Sequence, residues 1–296
     1  MNRPTVQVLL STYNGERYIN EQIKSILSQK DVDVHLLIRD DGSKDKTVDI
    51  IEEYGSKRIQ IIRESNVGCT RSFLKLLSFA GNYDYYAFSD QDDVWDEDKL
   101  AIGINRIKEY EVPAIYSSNT RLVDSNLQPL KTITRSAKAD LGSAIIKNYV
   151  SGCTAIFNYK LMQLLKEYDP AEDIPFHDWW VNLVALANGG ISVYDSVPHI
   201  SYRQHDNNTV GAADSFLGIW KYRLNKFVEN GYQRDAMARQ LMRGYSATIT
   251  NEAKSILEEI GNYKHNKLRI INDKRIRTNS MMDNILFFLL VLTNKI

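Results

Sequence analysis

Two short apolar runs end in clusters of acid, and this placement limits the possible folds more than any other feature. Residues 34–39 lead directly into Asp40-Asp41-Gly42-Ser43, and residues 85–88 lead into Ser89-Asp90-Gln91-Asp92-Asp93. Each run has the length and the β-branched or aromatic content of a strand, and a segment with helical apolar spacing follows each cluster. A strand over 6–11 precedes them, with a loop at Tyr13-Asn14-Gly15-Glu16 and a helix over 18–28 whose Ile19, Ile23, Ile26 and Leu27 share one face. A strand over 59–63 and a helix over 70–80 lie between, and Asp45 stands where an N-cap belongs before a helix over 47–54. Repeated strand, loop and helix make an α/β fold, a mostly parallel sheet with flanking helices. Ligands in such sheets bind beyond the carboxyl ends of the strands, so both acidic clusters are expected on one functional edge.

Beyond Asp93 the pattern continues with a helix over 98–110, a strand over 114–118, an apolar run over 151–157, a helix over 160–167 and an apolar segment over 177–187. One domain is therefore expected over residues 1–211. Residues 212–296 read as a C-terminal helical region, continuously helical over 216–263, where Phe216, Ile219, Trp220, Leu224 and Phe227 fall three to four apart. The 37 basic and 37 acidic side chains of the 296 residues cancel, which argues against nucleic acid as a partner. The balance is uneven, because residues 211–296 hold 14 Lys and Arg against 8 Asp and Glu.

The two cysteines, Cys69 and Cys153, form no CxxC and no disulfide framework, and the apolar run near the N-terminus is too short for a secretory leader. A cytoplasmic setting is the expectation. Lys264, Lys267, Arg269, Lys274, Arg275 and Arg277 precede an unbroken apolar run over 285–292. Basic then apolar is the pattern of a peripheral contact with the inner face of the cell membrane. A homodimer built through the same helices is the alternative.

Three carboxylates within four residues, at Asp90, Asp92 and Asp93, repel one another unless they meet a cation or a donor-rich ligand. Their hard oxygens suit Mg²⁺ or Mn²⁺, and a metal held by one or two of them keeps positions open for a diphosphate. Asp93 is also readable as a structural group. Asp40 and Asp41 could accept from a base N–H or a ribose hydroxyl, or belong to a generic Asp-Gly-Ser turn. Neither GxGxxG nor GxxxxGK occurs, so a dinucleotide fingerprint and a P-loop are excluded. In His177-Asp178-Trp179-Trp180 a carboxylate lies beside ring-faced walls, where desolvation raises basicity and aromatic faces stack on sugars. That makes Asp178 a candidate general base, against a reading in which the Trp residues are simply core.

Together, Ser11-Thr12-Tyr13-Asn14-Gly15, Asp40 to Thr47, Asn66-Val67-Gly68 and Ser89 to Trp95 resemble the ordered motifs of family 2 glycosyltransferases of the GT-A fold. The Asp-Gln-Asp-Asp-Val-Trp form, with His177 to Trp180 and Tyr202-Arg203-Gln204-His205, is most similar to the rhamnosyltransferase-like branch. The resemblance covers about residues 4–211. It implies that Thr12, Tyr13 and Asn14 line the base and ribose, with Asp41 the base contact and Asp40 beside it. It implies that Asp90 contacts ribose or metal and that Asp92 ligates a divalent metal bridging both phosphates. Asp178 becomes the base that takes the acceptor proton, Arg203 a fork for phosphate oxygens, and His205 a metal or phosphate contact. Gly152, Cys153 and Thr154 fall on the acceptor side of the pocket, with Trp179 and Trp180, and Cys153 has no base partner that would make it a nucleophile. One departure is Ser72, where the third motif leads one to expect Asn.

The implied activity is inverting, metal-dependent transfer of a sugar, L-rhamnose from dTDP-rhamnose in this branch, to a hydroxyl of a polysaccharide or lipid-linked glycan. A nucleotidyltransferase also pairs aspartates with a divalent ion, but it calls for a Gly- and Lys/Arg-rich triphosphate loop near the N-terminus, which is absent. A non-catalytic nucleotide-sugar binding module on the same fold would tolerate loss of Asp178.

Overall fold

The computed structural model describes residues 3–130, 138–170, 174–204 and 233–296. The first half follows the expected alternation: β1 (Thr5–Thr12), α1 (Ile19–Leu27), β2 (Asp33–Asp40), α2 (Thr47–Glu52), β3 (Ile59–Arg63), α3 (Cys69–Phe79) and β4 (Tyr85–Ser89). Then come β5 (Val94–Trp95), α4 (Lys99–Ile107), β6 (Ala114–Ser118), β7 (Arg121–Val123), α5 (Leu141–Ile146), a 3-10 turn at Gly152–Thr154, β8 (Ile156–Asn158), α6 (Tyr159–Glu167), α7 (His177–Ala187), β9 (Ile191–Asp195) and β10 (Ile200–Arg203). Among the described residues four further helices follow, α8 (Arg234–Tyr245), α9 (Asn251–Gly261), α10 (Tyr263–Asn272) and α11 (Met281–Thr293).

Seven strands form one sheet in the order β3-β2-β1-β4-β8-β6-β9, and β5, β10 and β7 form a small second sheet. Every neighbouring pair in the large sheet is parallel except those made by β8, which runs antiparallel to β4 and β6. In register, Thr12 of β1 lies opposite Asp40 of β2, and Leu10 lies opposite Ser89 of β4. The loops carrying both acidic clusters therefore leave one edge, on either side of β1. Strand order reverses there, which opens the crevice where ligands enter α/β sheets.

Successive β1 side chains alternate between the two faces. Val6, Val8 and Leu10 join the core beneath α1 and α4, whereas Leu9 joins the one beneath α3, α6 and α7. All four are fully buried, a contribution of about 1.5–3 kcal/mol each. Helix α7 is apolar around nearly its whole circumference and is buried accordingly.

The C-terminal region departs from the expected continuous helix. The part of that helix over 216–232, and the domain boundary at 211, lie outside the described residues. Within the rest, α8 ends at Tyr245 and α9 restarts after Thr250, whose side chain accepts from the Ala253 amide as an N-cap. Met237, Leu241, Ile256, Leu257, Phe287 and Val291 belong to the same core cluster as Leu9, Phe73 and Val184, so these helices share the sheet's core.

Candidate active site

The loops after β1 and β2 are knitted together mostly by backbone amides. Gln91 reaches across from the second acidic cluster: its Oε1 accepts from Thr12 Oγ1 (2.6 Å) and the Tyr13 amide (2.9 Å), and its Nε2 donates to the Tyr13 carbonyl. The residue between the two aspartates thus ties the second cluster to the first loop. Gly15 is required for this, because a Cβ there would stand 2.4 Å from Gln91 Oε1. Asn14 adopts φ 50°, donates its amide to Ser43 Oγ and accepts the Lys44 amide on Oδ1. Asp45 accepts the Glu16 and Thr47 amides, while the N-cap position itself falls to Lys46. Tyr13 leaves its ring exposed at the crevice.

The two neighbouring aspartates have different tasks. Asp41 Oδ1 accepts from the fully buried Arg39 guanidinium and the Val67 amide (2.8 Å), and Oδ2 accepts from the Gly68 amide (2.9 Å). Both oxygens of Asp41 are thus engaged in holding the third loop. Asp40 Oδ2 accepts the Gly42 and Ser43 amides, whereas its buried Oδ1 has no partner among the described residues. Ser72, which replaces the expected Asn, is a structural hub that bonds Ser11 Oγ and Arg39.

Below the crevice the second cluster is built of like charges. Burial, then Asp92 and Asp178, push the Asp90 carboxyl up to about 7. Asp93 is fully buried and raised well above the usual carboxylate range, first by burial and then by Asp92 and Asp90; its Oδ2 has no partner among the described residues. Ligand atoms of Asp90, Asp93 and Cys153 lie within 4.8 Å of one another. An orphaned buried oxygen among mutually repelling carboxylates fits a divalent cation; Asp92, the expected ligand, lies on the same loop but is not one of these grouped donors.

Asp178 opens helix α7 and is held from three sides. Its Oδ1 accepts from Asn148 Nδ2 (2.9 Å) and from the Trp179 amide, and its Oδ2 accepts from the Gly152 amide (2.8 Å). Burial outweighs these three bonds, so the carboxyl is raised to about 6, near where a base serves at neutral pH. Gly152 allows the close approach, since a Cβ there would meet His177 Nε2 at 2.7 Å. His177 is no part of this chemistry: it stacks on Phe73 at 3.9 Å between centroids, and burial lowers it to about 3.

Several expected contacts belong instead to the scaffold. Trp179 and Trp180 are 2% and 1% exposed, with Trp179 Nε1 donating to the Ala144 carbonyl, so neither ring can stack on a sugar. Cys153 and Thr154 are buried beneath the acceptor side, and Thr154 Oγ1 bonds the Ser118 amide and the Ser151 carbonyl. Burial and nearby Asp93 and Asp90 push the Cys153 thiol well up, which rules out a nucleophile. Arg203 is not a fork open to phosphate. Its buried guanidinium donates to the Asp92 carbonyl (2.8 Å), the Ser125 carbonyl (2.7 Å) and Glu21, and lies over the Tyr18 ring. It holds the Asp90–Asp93 loop from behind. His205 lies outside the described residues. Asn148, Arg39, Glu21 and the clamping role of Gln91 escaped sequence reasoning, because each acts through a partner distant in the chain.

A sheet that reverses order at β1, with acids on its carboxyl edge and a held carboxylate facing them, is the architecture of the GT-A fold. The family model for glycosyl transferase family 2 matches residues 7–165. The dTDP-rhamnosyl transferase RfbG of Shigella flexneri is 33% identical over 243 residues, 78% of this chain and 82% of its own length. Among solved structures, S. aureus TarS 1–349 in complex with UDP-GlcNAc aligns with a TM-score of 0.57 at 18% identity, over 98% of this chain and 91% of that one. The mannosyltransferase PcManGT of Pyrobaculum calidifontis, in complex with GDP-Man and Mn²⁺, aligns at TM-score 0.52 and 15% identity, over 100% and 89%. The chain belongs to glycosyl transferase family 2 and is a glycosyltransferase. Among the described residues no helix is long and apolar enough to cross a membrane.

Proposed function

We propose that this enzyme transfers L-rhamnose from dTDP-rhamnose, with inversion and with the help of a divalent metal, to a hydroxyl of a polysaccharide or lipid-linked glycan. The observation that carries the mechanism is Asp178, a carboxylate raised to about 6, held by Asn148, Gly152 and Trp179, and electrostatically coupled to Asp90. The similarity to the Shigella flexneri dTDP-rhamnosyl transferase supports the donor.

In this reading the donor base enters beside the exposed Tyr13 ring, over the Asp40-Asp41 turn. Asp90 and Asp92 hold the metal, Mg²⁺ or Mn²⁺, with Asp93 beneath them. When bound, the metal neutralises charge developing on the diphosphate leaving group. Gln91 and Arg203 keep that loop in place from the β1 side and from behind. Ionised Asp178 takes the proton from the acceptor hydroxyl as its oxygen attacks the anomeric carbon on the face opposite the diphosphate, which inverts the configuration.

The donor is tested by thermal melting with Mn²⁺ and a panel of nucleotide sugars. Ligand at a hundred times its Kd stabilises by about 2.7 kcal/mol, and dTDP-rhamnose is expected to raise Tm more than UDP-GlcNAc or GDP-mannose. A larger shift with either of those would reassign the donor.

A further inference from the structure

Helix α11 buries one side and leaves the other bare. Phe287, Leu290 and Val291 point into the core, while Met281 (79% exposed), Ile285, Leu289 and Leu292 (50% each for the last two) fall on the opposite face at spacings of four, four and three. Leu268, 74% exposed on neighbouring α10, extends this apolar surface. Lys267 joins the two helices by donating to the Leu292 carbonyl.

Around this face the charge is one-sided. Lys264, Arg269, Lys274 and Lys295 are exposed, and the two acids in residues 262–296 are engaged, Asp273 by Arg275 and Asp283 by Lys147. Apolar contacts rimmed mainly by cations, of which Arg269 shares its charge with Glu259 on α9, complement a surface that is apolar inside and anionic at its headgroups. Thirteen helical residues span about 20 Å, too short to cross a hydrocarbon core of about 30 Å. The helix therefore lies on such a surface rather than through it.

We infer that the exposed face of α11, with Leu268 and the basic residues of α10, docks the enzyme on an anionic lipid bilayer. The body of α11 rests on α5, and Arg234 ties these elements together: it donates to the Ile146 carbonyl at the end of α5 and faces the Phe287 ring of α11 and the Trp179 ring beside Asp178. The lipid-facing helix is thus one element away from the loop that holds the base through Asn148 and Gly152.

Co-sedimentation of the full chain with vesicles tests the inference. Phosphatidylcholine vesicles containing phosphatidylglycerol should pellet the protein, pure phosphatidylcholine should not, and added salt should release it. The double substitution Ile285→Glu with Leu289→Glu should abolish pelleting while donor turnover in solution stays at the wild-type level. Lys264→Glu with Arg269→Glu, at exposed sites that contribute nothing to the core, should reduce partitioning by at least fivefold for each charge removed, equivalent to about 1 kcal/mol apiece. Undiminished pelleting of both variants would overturn the inference. So would a wild type that ignores anionic vesicles and sediments as a dimer which the Ile285→Glu, Leu289→Glu protein splits, because the face would then belong to a second copy of the chain.

Discussion

Asp41 and Asp90 both leave the carboxyl edge of the sheet, yet their surroundings are opposite. Asp41 meets a buried guanidinium and two backbone amides, so its negative charge is matched within the protein. Asp90 faces Asp92 and Asp178, and its carboxyl is raised to about 7. One acid completes the scaffold. The other belongs to a cluster of like charges that holds on to protons more tightly than an ordinary carboxylate, and that is the arrangement a cation would complete. Sequence already sets three crowded carboxylates apart from an Asp-Asp-Gly-Ser turn, and their neighbours show the physical basis of the difference.

The sharpest way to break this division is to remove chemistry without touching structure. Asp178→Asn is expected to lower kcat by about 10²–10⁴ with donor KM close to wild type, measured as release of the nucleoside diphosphate. Unchanged kcat would mean that the held carboxylate is not the base. Asp41→Ala should do the reverse: Arg39 keeps its ion pair with Glu64, but the Val67 and Gly68 amides lose their acceptor, costing about 1–3 kcal/mol of stability; a urea melt that moves little would show these contacts to be dispensable. Arg203→Lys should fall between the two. It leaves the part-buried carbonyls of Asp92 and Ser125 without their donors for about 1 kcal/mol each, and it should also weaken metal-dependent donor binding by loosening the Asp92 loop.

The smallest effect is on pH. Asp178 keeps its proton up to about 6 and works as a base only when ionised. With saturating donor, kcat should fall about tenfold per pH unit below that value and level off above it. A flat profile from pH 5 to 8 would detach the rate from Asp178.

The placement of acids after apolar runs was enough to expect the α/β fold and the functional edge, because both depend on local periodicity. What escaped was set by distant partners. Arg203 reads as a free phosphate fork until its contacts to Asp92 and Glu21 appear, 111 and 182 residues away. Trp179 and Trp180 read as sugar platforms because their burial depends on α5 and on the C-terminal helices packing around α7. The engagement of Asp41 turned on Arg39 pointing inward, which no neighbouring residue announces. The break between α8 and α9 did have a local signal in Thr250, an N-cap residue that apolar spacing alone overlooks.

The central claim is that the second acidic cluster accepts a diphosphate only through a cation. Calorimetric titration of dTDP into the wild-type protein, with and without Mn²⁺, and into Asp92→Ala, tests it directly. Mn²⁺ is expected to tighten binding at least tenfold, about 1.4 kcal/mol, in the wild type and to have little effect in Asp92→Ala. Equal affinity in the wild type with and without the metal would contradict the account.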